Sequence, residues 1–141
     1  MRRGPQQNAE EAKTSRAARK VLIFDEDIED LGWHAEPFEA HGCEIHKCMS
    51  VETAMRCIER GEFAFALVDQ GSPAFEGLRV IRHLVLYNLR TPFVVVARRK
   101  DTLCYQQAVT LGAMNYLEKP VPIAVMNCII QDYIVGTSLK K

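Results

Sequence analysis

The sequence predicts an α/β protein, a single doubly wound (βα)5 sandwich around a five-stranded parallel sheet. Three observations carry that reading. Short, continuous apolar runs recur at 21–24 (VLIF), 63–68 (FAFALV) and 93–97 (FVVVA), rich in β-branched and aromatic residues. Such runs suit strands buried on both faces of a parallel sheet. Between them lie segments with helical apolar spacing, several closed by glycine. Strand and helix then alternate five times, which in one domain means helices on both faces of a parallel sheet.

The elements follow in order. Residues 1–19, MRRGPQQNAEEAKTSRAAR, hold almost nothing apolar larger than Ala and read as a flexible basic tail. The first strand, VLIF, runs into Asp25, Glu26 and Asp27. A first helix over about 28–41 contains Gly32 and Pro37, so a kink or break is expected near 33–37. A weaker strand, CEIHKC at 43–48, precedes a helix over 50–60 with Ser50 as N-cap, Val51, Ala54, Met55 and Ile58 on one face, and Gly61 at its end. The third strand leads to Asp69 and a helix over 77–88 carrying Leu78, Ile81, Leu84 and Val85. After the fourth strand, Asp101 caps a helix whose apolar side is Leu103, Cys104, Ala108 and Leu111, stopped by Gly112. NYLE at 115–118 is the last strand. A final helix over about 121–135 shows Met126, Ile129, Ile130, Tyr133 and Ile134. The domain is expected over 20–137, with 138–141 a C-terminal tail or the start of a linker.

Length and composition fit one globular domain: 141 residues, 48% hydrophobic and 26% charged. Residues 1–20 hold six basic and two acidic residues, leaving 12 basic and 16 acidic residues beyond them, a net of −4. A domain of that sign is not expected to bind nucleic acid directly. No apolar run is long enough for a bilayer, and no secretory apolar core is seen, so neither membrane nor export is expected. The five cysteines (43, 48, 57, 104, 128) are odd in number and lack C-x-x-C spacing. They read as buried or half-buried free thiols of a reduced, cytoplasmic protein. His34, His41, His46 and His83 share no metal-ligand spacing and read as surface or packing residues, as does Trp33 for packing.

Chemistry is expected at the carboxyl ends of the strands, where the strand order reverses. Asp25, Glu26 and Asp27 follow the first strand, Asp69 the third, Arg98, Arg99 and Lys100 the fourth, and Lys119 the fifth. Carboxylates so placed repel one another unless a cation joins them, and hard oxygen donors favour Mg²⁺. A nucleotide-phosphate loop needs glycines and open N–H groups after the first strand, not three acids. The alternative is that Asp25 to Asp27 only cap the helix; Asp69 and Lys119 at equivalent strand ends weigh against it.

From Lys20 to about Val135 the chain resembles the receiver domain of two-component response regulators. VLIFDED resembles the acidic first-strand motif, and LVDQGSPAFEG the phosphoacceptor loop, with Pro73 four and Gly77 eight residues after Asp69. GAMNYLEKP resembles the closing motif, with Tyr116 three before Lys119 and Pro120 just after. The resemblance implies the flavodoxin-like, chemotaxis-regulator type of fold with strand order 2-1-3-4-5. It implies that Asp69 accepts a phosphoryl group from a histidine kinase or histidine phosphotransfer protein, the receiver catalysing its own phosphorylation without turning over small molecules. Glu26 and Asp69 would bind Mg²⁺ directly, Asp25 mainly through water, and the Gly71 carbonyl would complete the protein ligands. Lys119 would bond the phosphoryl group. Output would pass to an effector or partner protein through the face of helix 4, strand 5 and helix 5 (Tyr105, Gln106, Thr110, Tyr116), or through a homodimer.

Two positions depart from the family. A Ser or Thr hydroxyl is expected at the end of the fourth strand, but Ala97 stands there and no hydroxyl occurs from Phe93 to Asp101. The inward swing of Tyr116 is therefore not assured. The next residue, usually small, is Arg98, whose guanidinium is a candidate counter-charge for Asp69 or Glu26. These departures support a second reading, a phosphorylation-independent interaction module. A third follows from LIFDED, which also resembles the first motif of haloacid-dehalogenase phosphatases, with Asp25 as nucleophile. Ile28 and Glu29 do not fit that motif, and the chain is short for that fold.

Overall fold

The computed structural model describes residues 18–136. The expectations for the N-terminal tail and for 138–141 fall almost wholly outside these residues. Five strands form one parallel sheet: β1 (Lys20–Phe24), β2 (Glu44–Cys48), β3 (Phe65–Asp69), β4 (Phe93–Ala97) and β5 (Asn115–Glu118). Their order is β2-β1-β3-β4-β5, as the family resemblance implied. The helices are α1 (Ile28–Ala40), α2 (Val51–Arg60), α3 (Leu78–Tyr87), α4 (Thr102–Thr110) and α5 (Ile123–Ile130), the last continuing into a π-turn over Gln131–Val135.

Alternate strand residues build two cores. Leu22, Phe24, Ala66, Val68, Val95 and Ala97 face one way and pack with Ala54 and Ile58 of α2, Ile81 and Leu84 of α3, and Cys104 and Ala108 of α4. Val21, Ile23, Phe65, Leu67, Val94 and Val96 face the other way, against Leu31, Ala35 and Phe38 of α1 and Met126 and Ile130 of α5. The period of two in side-chain direction, with helices on both faces, is why these strands carry no polar alternation. Each fully buried Val, Leu, Ile or Phe contributes roughly 1.5–3 kcal/mol.

The expected break in α1 does not occur: the helix runs through Pro37 to Ala40. Pro37 lies one turn from the end, where its missing N–H removes one bond, to the Trp33 carbonyl. Leu31, His34, Ala35 and Phe38 are buried on the helix's sheet-facing side, and the Phe38 ring stacks on Phe65 at 5.7 Å. That burial outweighs one lost hydrogen bond. The expected caps form: Ser50 Oγ accepts from Thr53 N–H at 3.1 Å and Asp101 Oδ2 from Cys104 N–H at 3.0 Å. The cysteines need a correction. Cys48 and Cys104 are buried and Cys43 and Cys57 half-buried, as expected, but Cys128 is exposed because it lies on the outward side of α5.

The register sets the site. Phe24 pairs with Val68 across β1 and β3, so Asp25 and Asp69 follow side by side at the carboxyl edge. Ala97 pairs with Glu118, which brings Arg98 beside Lys119.

Candidate functional site

The strand ends enclose a cavity of about 330 Å³ lined by Asp25, Glu26, Asp27, Asp69, Gly71, Arg98 and Lys119. A larger hollow of about 470 Å³ at the opposite end of the sheet, bordered by Arg19, Glu62, Phe63 and Pro92, lies away from these carboxylates. The cavity at the carboxyl ends, beside the reversal between β1 and β3, is the one where such sheets bind ligands.

Lys119 stands at its centre. Its Nζ donates to Asp25 Oδ2 and Asp30 Oδ2, each at 2.9 Å, and lies 2.9 Å from Asp69 Oδ1. The last contact is an ion pair outside hydrogen-bond angles, leaving Asp69 Oδ1 without a hydrogen-bond donor. Burial alone would lower the Lys119 pKa, but Asp69, Asp25 and Asp30 outweigh it and hold the ammonium above the ordinary lysine value. Asp69 moves the other way. Its burial, helped by the nearby Asp25 charge, raises its carboxyl above the usual range, against the pull of Lys119. A peptide link in the cis form joins Lys119 to Pro120. The loop beyond is tied to α1 by Trp33 Nε1, which donates to the Val121 carbonyl at 3.2 Å.

The acidic run divides its labour. Asp25 is 1% exposed, accepts the Asp27 N–H at 2.9 Å and meets Lys119. Glu26 is exposed at the rim. Asp27 is the N-cap of α1, accepting from Glu29 and Asp30 N–H groups, which lower its pKa. The helix-cap reading thus holds for Asp27, while Asp25 turns into the cavity.

Beyond Asp69 the chain makes a tight loop. Gly71 adopts φ +83°, and a Cβ there would run into the Glu76 carboxylate. That carboxylate accepts from Ser72 N–H at 2.7 Å and from Ser72 Oγ. Gly77 matters for space: a Cβ on it would collide with the Asp69 carbonyl. The Gly eight residues after the aspartate thus lets the start of α3 press against the strand end.

Arg98 does meet carboxylates, but not those of Asp69 or Glu26. Its guanidinium lies 2.7 Å from Asp30 Oδ2 and 3.4 Å from Asp27 Oδ2. Asp30, unremarked in the sequence, therefore bridges Arg98 and Lys119. Its signal was hidden because an acid in the first turn of a helix is already explained by the helix dipole.

Tyr116 also differs from expectation. It is 6% exposed rather than part of an open face. Its hydroxyl donates to Gln70 Oε1 and accepts from Asp101 N–H at 2.8 Å. Gln70, immediately after Asp69, is itself fully buried and donates to the carbonyls of Ser72 and Arg99 at 3.3 Å. The methyl of Ala97 belongs to the same hydrophobic core as Tyr116.

A model of the response regulator receiver domain matches residues 21–131. The chain belongs to that family. The receiver is 23% identical to the regulatory protein AtoC of Escherichia coli over 125 residues, covering 89% of this chain but 27% of that protein. It spans about a quarter of the length of that relative. A CheY-like receiver domain protein from Methanospirillum hungatei has the same fold, with a TM-score of 0.78 at 20% identity, over 89% of this chain and 100% of that one. A Burkholderia pseudomallei response regulator, solved with a phosphorylated aspartic acid, calcium ion and citrate, gives 0.71 at 23% identity, over 85% and 69%. Membership of this family is consistent with a phosphoacceptor role in two-component signalling. No helix of the described receiver is long and apolar enough to cross a membrane.

Proposed function

We propose that this receiver accepts a phosphoryl group on Asp69 from a phosphohistidine of a histidine kinase or phosphotransfer protein, with Mg²⁺. The observation that carries this is the pairing of Asp69 with Lys119 at 2.9 Å inside a cavity otherwise lined by acids. In the transfer the phosphorus–nitrogen bond breaks, a bond forms from phosphorus to an Asp69 oxygen, and the histidine nitrogen keeps the electron pair. Such a transfer depends on positioning and charge neutralisation more than on covalent assistance. Lys119 is placed for both. Asp25 suits the nucleophile's part less well than Asp69, since it is 1% exposed and both its oxygens already have donors.

The donors fit Mg²⁺. Asp25, Glu26 and Asp69 offer hard carboxylate oxygens, with the Gly71 carbonyl as a fourth protein donor. Among the described residues no three His, Cys, Asp or Glu side chains are grouped closely enough to hold a metal ion; Mg²⁺ takes few protein carboxylates and keeps several waters. When bound, it would neutralise charge on the phosphoryl oxygens. Incubation with acetyl phosphate or phosphoramidate and Mg²⁺, followed by intact mass, should show one phosphoryl addition that is lost in Asp69→Asn. No addition to the wild type would refute the proposal.

Tyr116 favours a second reading, a module that signals through protein contacts without phosphate. Its ring is held inward by its hydroxyl's bonds to Gln70 and Asp101, neither of which involves Asp69. The contact face would then be the exposed part of α4 with its neighbours, including Tyr105, Gln106 and Thr110. Partner binding that is unchanged in Asp69→Ala supports this reading; a large dependence on phosphate eliminates it.

A further inference from the structure

We infer that Arg98 is the second phosphoryl ligand of this receiver, replacing the hydroxyl that Ala97 lacks, and that Asp30 positions both Arg98 and Lys119 until the phosphoryl group arrives. This rests on Asp69 being the phosphoacceptor.

The sheet register places Arg98 correctly for that role. It is the first residue beyond β4, next to the pair Ala97–Glu118 that precedes Lys119, and Lys119 N–H donates to the Ala97 carbonyl at 2.8 Å. Arg98 lines the same cavity as Asp69 and Lys119. Its side chain is 66% exposed, so no packing must be broken for it to turn. Its present contacts are exposed ion pairs, which are weak and easily exchanged.

Charge supplies the reason to turn. Five carboxylates (Asp25, Glu26, Asp27, Asp30, Asp69) meet two cations here. A phosphoryl group on Asp69 would replace one negative charge by about 1.5–2, carried on three strong acceptor oxygens. A guanidinium presents paired donors that match such a group better than a single carboxylate oxygen at 2.7 Å. Asp30 Oδ2 is shared by both cations, so it holds them beside one another and releases them to the same acceptor.

The test is calorimetric binding of beryllofluoride, a phosphoryl mimic, to the full chain with Mg²⁺ in excess. Arg98→Ala should weaken binding roughly ten- to a hundredfold, the worth of a hydrogen bond to a charged group. Arg98→Lys should recover much of the loss. Asp30→Asn should tighten binding severalfold, because each cation then loses one competing carboxylate. Mg²⁺ affinity measured without beryllofluoride separates this role from a general counter-charge: Arg98→Ala should leave it equal or tighter. Equal beryllofluoride affinity in the wild type and Arg98→Ala would overturn the ligand role. Unchanged or weaker binding in Asp30→Asn would overturn the positioning role. A wild type that takes up neither beryllofluoride nor phosphoramidate phosphate would instead refute the phosphoacceptor reading and this inference with it.

Discussion

Removing one oxygen, in Tyr116→Phe, tests how firmly the aromatic ring is held. The hydroxyl donates to Gln70 Oε1 and accepts the Asp101 N–H at 2.8 Å. Burial raises the phenol pKa further above the ordinary value, so the proton is present throughout the neutral range. Gln70 is fully buried, so its Oε1 would lose its donor with no water to replace it, at about 1–3 kcal/mol. Asp101 is partly exposed, and its N–H can turn to solvent at little cost. The expected loss is therefore about 1–3 kcal/mol in urea unfolding at pH 7. For a domain of this size each kcal/mol lowers Tm by about 4 °C. A double-mutant cycle with Gln70→Met assigns the loss to this pair, with an expected coupling of about 1–2 kcal/mol. A loss below about 0.5 kcal/mol, or additive effects in the cycle, would show that packing alone keeps Tyr116 inward.

Lys119→Met should cost about 3–5 kcal/mol without Mg²⁺, because Asp25 and Asp69 would be left buried and unpaired. Added Mg²⁺ should restore part of it, and unfolding curves with and without the metal measure both. Gly77→Ala should destabilise by about 1–3 kcal/mol and slow phosphoryl uptake, since its Cβ meets the Asp69 carbonyl; full stability and uptake would contradict the close-approach argument. His34 gives a pH prediction. It is 1% exposed with neither ring nitrogen bonded, and burial lowers its pKa despite the opposing pull of Asp25. The unfolded chain therefore takes up a proton near pH 6.5 that the native state resists, so this contribution to stability falls as pH drops below about 6.5. His34→Leu should flatten the unfolding free energy between about pH 7 and pH 5; an unchanged slope would mean His34 binds its proton equally in the folded and unfolded chain.

Much of the architecture is written in local pattern. FAFALV and FVVVA announce strands covered on both faces, and Ser50 and Asp101 announce helix starts, because cap and periodicity depend on neighbours within a few residues. The acidic ends of β1 and β3 and the lysine after β5 were equally legible, since the topology carries them to one edge. Pro37 misled because propensity reports only the backbone's cost, while Phe38 stacked on Phe65 supplies the burial that offsets it.

The alternation of strands and helices, and the gathering of Asp25, Asp69 and Lys119 at one sheet edge, thus follow from the one-dimensional pattern and the rules of parallel sheets, while the strand order followed from the family resemblance. Partner choice within that gathering does not. Tyr116 finds Gln70 across 46 positions, Arg98 finds Asp30 across 68, and Lys119 finds Asp25 across 94. Each pairing depends on the register of separate strands, on how far a side chain reaches, and on which competing charge is nearer. Those quantities exist only once the chain is folded. The same holds for Ala97: its missing hydroxyl is plain in the sequence, but the burial of Tyr116 and the sharing of Asp30 by Arg98 and Lys119 emerge from packing in three dimensions.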